Sequence, residues 1–233
     1  MAQKLLRADH TLLCISRSHN ETLADHAVAL GCSLEQWDLD LAYSTEAAAR
    51  LAQWMGSLRS ELFASASLIN NAGVIPHIGP LSASDPIDLA RALRVGLEAP
   101  LLLTATFLKA TQRWNMPRKV LNISSGLGRR ALASQAGYCA AKAGMDHFTR
   151  ALALDEALKT NGACVCSLAP GVIDTDMQVQ LRQADPLGFP DRANFVALKL
   201  NGQLTSPADA ATRVLAYLAR PDFGSTPIDD VRG

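Results

Sequence analysis

Aromatic side chains make up only 5% of the sequence, and neither sign of charge predominates, since 22 basic residues meet 22 acidic ones. Balanced charge removes the electrostatic argument for a nucleic-acid or anionic-membrane ligand. With so few aromatics, the 48% hydrophobic fraction is mostly Leu, Ala, Val and Ile. That composition suits helices packed on a buried parallel sheet. No apolar run is long enough to span a bilayer, and the opening residues MAQKLLRADH do not form an export signal. The cysteines number five, at 14, 32, 139, 164 and 166. An odd count without a signal peptide fits a reducing cytoplasm. Cys164 and Cys166 share one face of an apolar strand but lack a second ligand pair, so they read as buried thiols. His10, His19, His26, His77 and His147 show no metal-ligand spacing either. What remains is a soluble, cytoplasmic domain over 1–233, without a metal site and long enough for a substantial core.

Against these absences one stretch is rich in chemistry: Val120 to Lys142, VLNISSGLGRRALASQAGYCAAK. It begins in a short apolar strand, Lys119 to Ile123, and breaks at Ser124-Ser125-Gly126. A small-residue helix then carries Tyr138 and, at i+4, Lys142, one above the other on the same face. A free tyrosine, with a pKa of about 10, is a poor acid-base group at neutral pH. An adjacent ammonium is expected to lower it, and Ser125 at the strand end supplies a second hydroxyl. Tyr and Lys at this spacing also occur on ordinary solvated helix faces, so the pair alone does not decide.

The surrounding motifs do more. Asn70-Asn71-Ala72-Gly73, Ser125, Tyr138-Cys-Ala-Ala-Lys142 and Pro170-Gly171-Val-Ile-Asp-Thr175 follow one another in that order. In this the chain resembles the short-chain dehydrogenase/reductase family over nearly its whole length. The resemblance implies a Rossmann-like doubly wound α/β parallel sheet and NADP-dependent reduction of a ketone or aldehyde. It gives the proton-donor role to Tyr138, the carbonyl-polarising role to Ser125, and to Lys142 both tuning of the tyrosine and binding of the nicotinamide ribose. Cofactor contacts are implied at Asn71, Ala72, Gly73, Pro170, Gly171, Ile173 and Thr175, and near the adenine at Asp38. Asp38 also reads as a helix-capping residue. Arg17, just past a strand end, suits a 2′-phosphate and hence NADP, with a solvated loop arginine as the plain alternative.

Two departures stand out. Members of the family begin with a strand and a Thr-Gly-x3-Gly-x-Gly loop that holds the pyrophosphate, and this sequence has neither. The expected sheet is therefore N-terminally truncated, with either a gap or a direct pairing between strands 10–16 and 67–70. Where the family has Val-Asn-Leu, with the Asn in a proton relay, this chain reads Val95-Gly96-Leu97. Gly126-Leu-Gly128-Arg-Arg-Ala131 matches a dinucleotide fingerprint in form only, since no amphipathic helix follows at once.

Expected elements are strands at 10–16, 32–37, 67–70, 119–123 and 163–169 with a short one at the C-terminus. Helices are expected at 21–30, 46–63, 85–113 with a kink at Pro100, 135–158 and 206–220. Residues 176–201, broken by Pro186, Gly188 and Pro190, read as a mobile lid. Within the family the sequence is most similar to sepiapterin and benzil reductases, which makes Asp229 a candidate anchor for a pteridine edge, or an ordinary terminal acid. The Ala/Leu surfaces of the helices in 85–113 and 135–159 suggest a homodimer or homotetramer. A different class also stands: a non-catalytic paralogue acting as a binding or oligomerisation module.

Overall fold

The computed structural model describes residues 1–232. Each short apolar run of the sequence is a parallel strand: β1 Thr11–Ser16, β2 Ser33–Asp38, β3 Ala66–Asn70, β4 Arg118–Ile123, β5 Cys164–Ala169 and β6 Ile228–Asp230. β1 pairs with β2 from Thr11↔Ser33 to Ser16↔Asp38. The other four form a second sheet in the order β3-β4-β5-β6. Among the described residues no ladder joins β1 to β3, so of the two expected arrangements the structure has the gap. Burial follows the break. β4 and β5 are almost wholly buried, as doubly covered parallel strands should be, whereas Leu12 to Ile15 of β1 are only half-buried.

Side chains, rather than backbone bonds, hold the two sheets together. One core cluster takes Trp37 from β2, Leu51 and Met55 from α3 (Ser44–Ser57), Leu103 and Phe107 from α5 (Ala99–Ala110) and Val120 from β4, with Leu13, Ile15 and Leu68 packed against it. Alternate residues of the same strands face the other way. Leu121, Cys166 and Leu168 meet Val214 and Tyr217 of α9 (Pro207–Ala219). Leu6, past α1 (Ala2–Leu5), joins Leu23 and Ala27 of α2 (Glu21–Leu30), with Leu12 and Leu34 against them. Helices thus cover both faces, the doubly wound α/β arrangement.

Local signals explain several boundaries. Asn20 caps α2 by accepting from the Leu23 amide at 2.9 Å, and Gly31 ends it at φ +66°, a left-handed conformation that glycine adopts freely. Ser206 caps α9, with Pro207 in the first turn, as the sequence suggested. The single long helix expected over 85–113 is instead α4 (Pro86–Leu93), a π-helical segment (Arg94–Glu98) and α5. Pro100 has no N–H to give to the Gly96 carbonyl. The turn widens there, and the Ala99 amide reaches back to Arg94. The helix expected over 46–63 ends at Ser57, with a 3-10 turn at Ser60–Leu62.

Residues 176–201, of weak periodicity in sequence, are mostly regular helix. They form α7 (Asp176–Gln183) and α8 (Arg192–Leu200), and the breakers fall between them. That connection is anchored by Phe189, fully buried with its ring 5.5 Å from that of Phe195, and by a 2.6 Å bond from Ser134 Oγ to the Gly188 carbonyl. Among the described residues no helix is long and apolar enough to cross a membrane.

Candidate active site

Because the strands are parallel, their C-terminal ends lie along one edge, the usual ligand side of an open α/β sheet. Every chemical motif of the sequence follows such an end. Arg17 follows β1, Asp38 closes β2, Asn71-Ala72-Gly73 follow β3, Ser124 and Ser125 follow β4, and Pro170-Gly171 follow β5. The helix α6 (Ala136–Ala157) brings Tyr138 and Lys142 to the same edge, both buried.

Two contacts assemble the centre. The Tyr138 and Ser125 side chains come close together at this edge, near enough for the serine hydroxyl to favour the phenolate. Lys142 Nζ donates to the Ile123 carbonyl at 2.7 Å and sits 5.8 Å from the Tyr138 ring centroid. The loop after β3 closes on the same ammonium, since a Cβ added at Gly73 would stand 3.7 Å from Lys142 Nζ. Glycine therefore leaves bare backbone beside the lysine.

The electrostatics run against the sequence expectation. Burial raises the Tyr138 pKa above its ordinary value, opposed only in part by the nearby Ser125 hydroxyl. The expected lowering by Lys142 is absent, because the ammonium bonds a carbonyl instead of the phenol. A phenol that holds its proton suits donation better than abstraction. Burial likewise lowers Lys142 from 10.5 to about 8, with Asp146 acting the other way.

The remaining candidates spread along the edge. Arg17 is exposed beside Asp40, whose carboxyl is held low by the Ala42 amide, by Arg91 at 2.9 Å and by the Arg17 charge. Asp38 is exposed at the end of β2, opposite Ser16, and the α3 N-terminus is at Tyr43 instead. Gly171 is left-handed at φ +80°, and Ile173 forms a parallel bridge with Thr205. Thr175 stands exposed at the start of α7 with its hydroxyl 3.4 Å from the Ile173 carbonyl. Asp229 is not brought to Tyr138. It pairs with Leu168 and turns to the α9 face, where Tyr217 donates to one carboxylate oxygen at 2.6 Å and the Asp230 amide to the other at 2.8 Å.

Sequence reasoning missed the polar chain behind the site. Asn70 donates to Asn122 at 2.8 Å and to Thr104 at 3.0 Å, and Asn122 donates to Thr149 at 2.9 Å. All four are buried, and together they lock β3 and β4 to α5 and α6. A polar residue inside an otherwise apolar strand, as Asn122 is in Val-Leu-Asn-Ile, was the available signal.

A short chain dehydrogenase family model matches residues 1–186. The benzil reductase ((S)-benzoin forming) of Bacillus cereus is 32% identical over 223 residues, which cover 96% of this chain and 90% of that protein. The sepiapterin reductase of Xenopus tropicalis is 33% identical over 187 residues, 76% of this chain and 69% of that one. A crystal structure of a short-chain dehydrogenase/reductase from Burkholderia vietnamiensis, 35% identical, covers all of this chain and 90% of its own with a TM-score of 0.62. The family model covers most of the chain and these relatives exceed 30% identity: the chain belongs to the short-chain dehydrogenase/reductase family of oxidoreductases.

Proposed function

We propose that the protein is an NADP-dependent reductase of aromatic diketones, with Tyr138 as proton donor. The observation that carries this reading is the buried Tyr138, with its pKa raised by burial, standing close to Ser125 and 5.8 Å, by its ring centroid, from the Lys142 ammonium. A carbonyl oxygen placed between the two hydroxyls accepts a hydrogen bond from Ser125 and the proton from Tyr138. Lys142 stabilises the phenolate that remains, which matters more in a buried site than in water. The cofactor supplies the hydride when bound. Lys142, beside the bare backbone of Gly73, would hold its ribose, and Asn71, Ala72, Pro170, Gly171, Ile173 and Thr175, on the same edge, would supply further contacts.

NADP rather than NAD is proposed because the group just past β1 is the Arg17 cation, able to bond a 2′-phosphate. Two other members of the fold bind NAD and NADP respectively, so the fold itself leaves the choice to such side chains. A diketone is favoured over a pteridine because Asp229 has both oxygens engaged by Tyr217 and Asp230. The similarity to a benzil reductase over 96% of the chain points the same way.

The test is a rate comparison with benzil and sepiapterin, each with NADPH and with NADH. The reading expects turnover of benzil with NADPH. Reduction of sepiapterin alone, or equal use of NADH, would replace the corresponding half of the proposal.

A further inference from the structure

Asp146 lies one turn beyond Lys142 on α6 and is only 1% exposed. Its Oδ1 accepts two hydrogen bonds, from Ser124 Oγ at the β4 end (2.6 Å) and from Ser167 Oγ on β5 (2.7 Å). Its Oδ2 is buried without a hydrogen-bond partner and faces Arg129 Nε at 3.6 Å. A proton on that oxygen would point at another donor, so this arrangement suits the ionised form. A buried carboxylate with unused acceptor capacity is costly unless a cation offsets it.

Two cations are at hand. Arg129 is partly exposed and also donates to the Asp229 carbonyl at 3.0 Å. Lys142 is buried, and its one short hydrogen bond goes to an uncharged carbonyl. Around the ammonium are Tyr138 one turn before it and Asp146 one turn after it on its own helix, the latter acting through its charge rather than by an ion-pair contact, with the Ile123 carbonyl from β4 and Gly73 from the loop after β3. Asp230, from β6, acts on Arg129. Asp146 is therefore the only carboxylate in this set.

We propose that Asp146 is a positioning residue of the reductase site: its buried carboxylate is the counter-ion that keeps Lys142 protonated, and its serine bonds fix the strand end that presents Ser125. The pattern Gly126-Leu-Gly128 then has a local reason. A Cβ at Gly128 would lie 2.7 Å from Asp146 Oδ2 and 3.0 Å from the Lys142 carbonyl, so only glycine lets this turn close over the carboxylate. The catalytic consequence rests on the reductase reading, but the coupling of Asp146 to Lys142 is measurable without it.

The experiment follows the Lys142 side chain by NMR in lysine-labelled protein as pH is raised, in the wild type and in Asp146→Asn. Asparagine keeps an acceptor for both serines and removes the charge, while its amide NH2 takes the Oδ2 place that faces Arg129. The wild-type lysine is expected to titrate near 8, and the variant about one pH unit or more lower. At pH 7.5 such a shift cuts the charged fraction roughly threefold, and the alkaline limb of kcat/KM should move with it. An unmoved lysine midpoint would overturn the proposal. Should Asp146→Asn destabilise the fold too far for NMR, Tm is compared in two backgrounds. The loss should be at least halved, by rough estimate, when Lys142→Met is already present, and equal losses would also overturn it. A shifted lysine in a protein that reduces no carbonyl would end the reductase reading and leave the counter-ion role standing.

Discussion

Lys142 is kept where a positive charge is disfavoured, and this gives a stability prediction with a definite sign. Its pKa falls from 10.5 to about 8 on folding, through burial. Below pH 8 the lysine is charged in both states, and the folded state bears the whole cost of burial. Between 8 and 10.5 the folded lysine has lost its proton while the unfolded one retains it, so stability from this group rises with pH. The whole difference is about 3 kcal/mol. Denaturation from pH 7 to 10 should show this rise in the wild type and lack it in Lys142→Met. The variant should also be the more stable at pH 7, less about 1 kcal/mol for the Ile123 carbonyl left unpaired. Parallel curves would mean the lysine is better solvated than its surroundings imply. Arg17 gives a second residue-scale prediction. Arg17→Ala should weaken NADPH over NADH by about 1.5–3 kcal/mol in titration calorimetry, the worth of a charge-assisted contact. Equal weakening of both would make Arg17 a loop residue. That Ser125, Tyr138 and Lys142 come together at one edge was legible from spacing and motif order. The direction of the Tyr138 shift was not, because it depends on burial and on where the ammonium donates.

At the scale of elements, sequence periodicity located the strands to within a residue or two and failed where a side chain acts at a distance. The π-helical segment at Arg94–Glu98 has the apolar pattern of an ordinary helix. Only the missing N–H of Pro100 reveals it. Gly96, which looked like a lost relay residue, lies where an added Cβ would stand 3.1 Å from the Ala141 Cβ. Its smallness seats that segment against α6. The two helices of 176–201 were illegible because Phe189 and Phe195 pack locally instead of on a repeating stripe. The turn at Gly126–Gly128 offers the element-scale test. Gly128→Ala meets a backbone carbonyl as well as the Asp146 carboxylate, and backbone cannot step aside cheaply. It should cost about 1–3 kcal/mol, as overpacking does, and lower Tm without changing cofactor preference. A neutral result would mean the turn is free to lift from α6.

For the whole molecule, the break between β1 and β3 is the dominant feature. Hydrogen exchange should find the amides of β1 and β3 at least about tenfold faster than those of β4 and β5, since local opening there breaks one ladder instead of two. Uniform protection would mean the gap is bridged in solution. Leu101 on α5, Leu154 on α6 and Leu158 just past α6 are exposed, which fits the homodimer or homotetramer expected from the sequence; light scattering at micromolar concentration should find one. The sequence left open a gap or a direct pairing of strands 10–16 and 67–70, and the structure has the gap. How the halves stay joined was not legible, because Trp37, Leu103 and Val120 meet only once the chain is folded. The central claim is that a buried, protonated Tyr138 delivers the proton in carbonyl reduction. It is tested most directly by following NADPH oxidation with benzil in the wild type and in Tyr138→Phe, which removes one oxygen and nothing else. The account predicts a folded variant of unchanged Tm to within a few degrees, slower by about two to four orders of magnitude. Turnover equal to that of the wild type would contradict it.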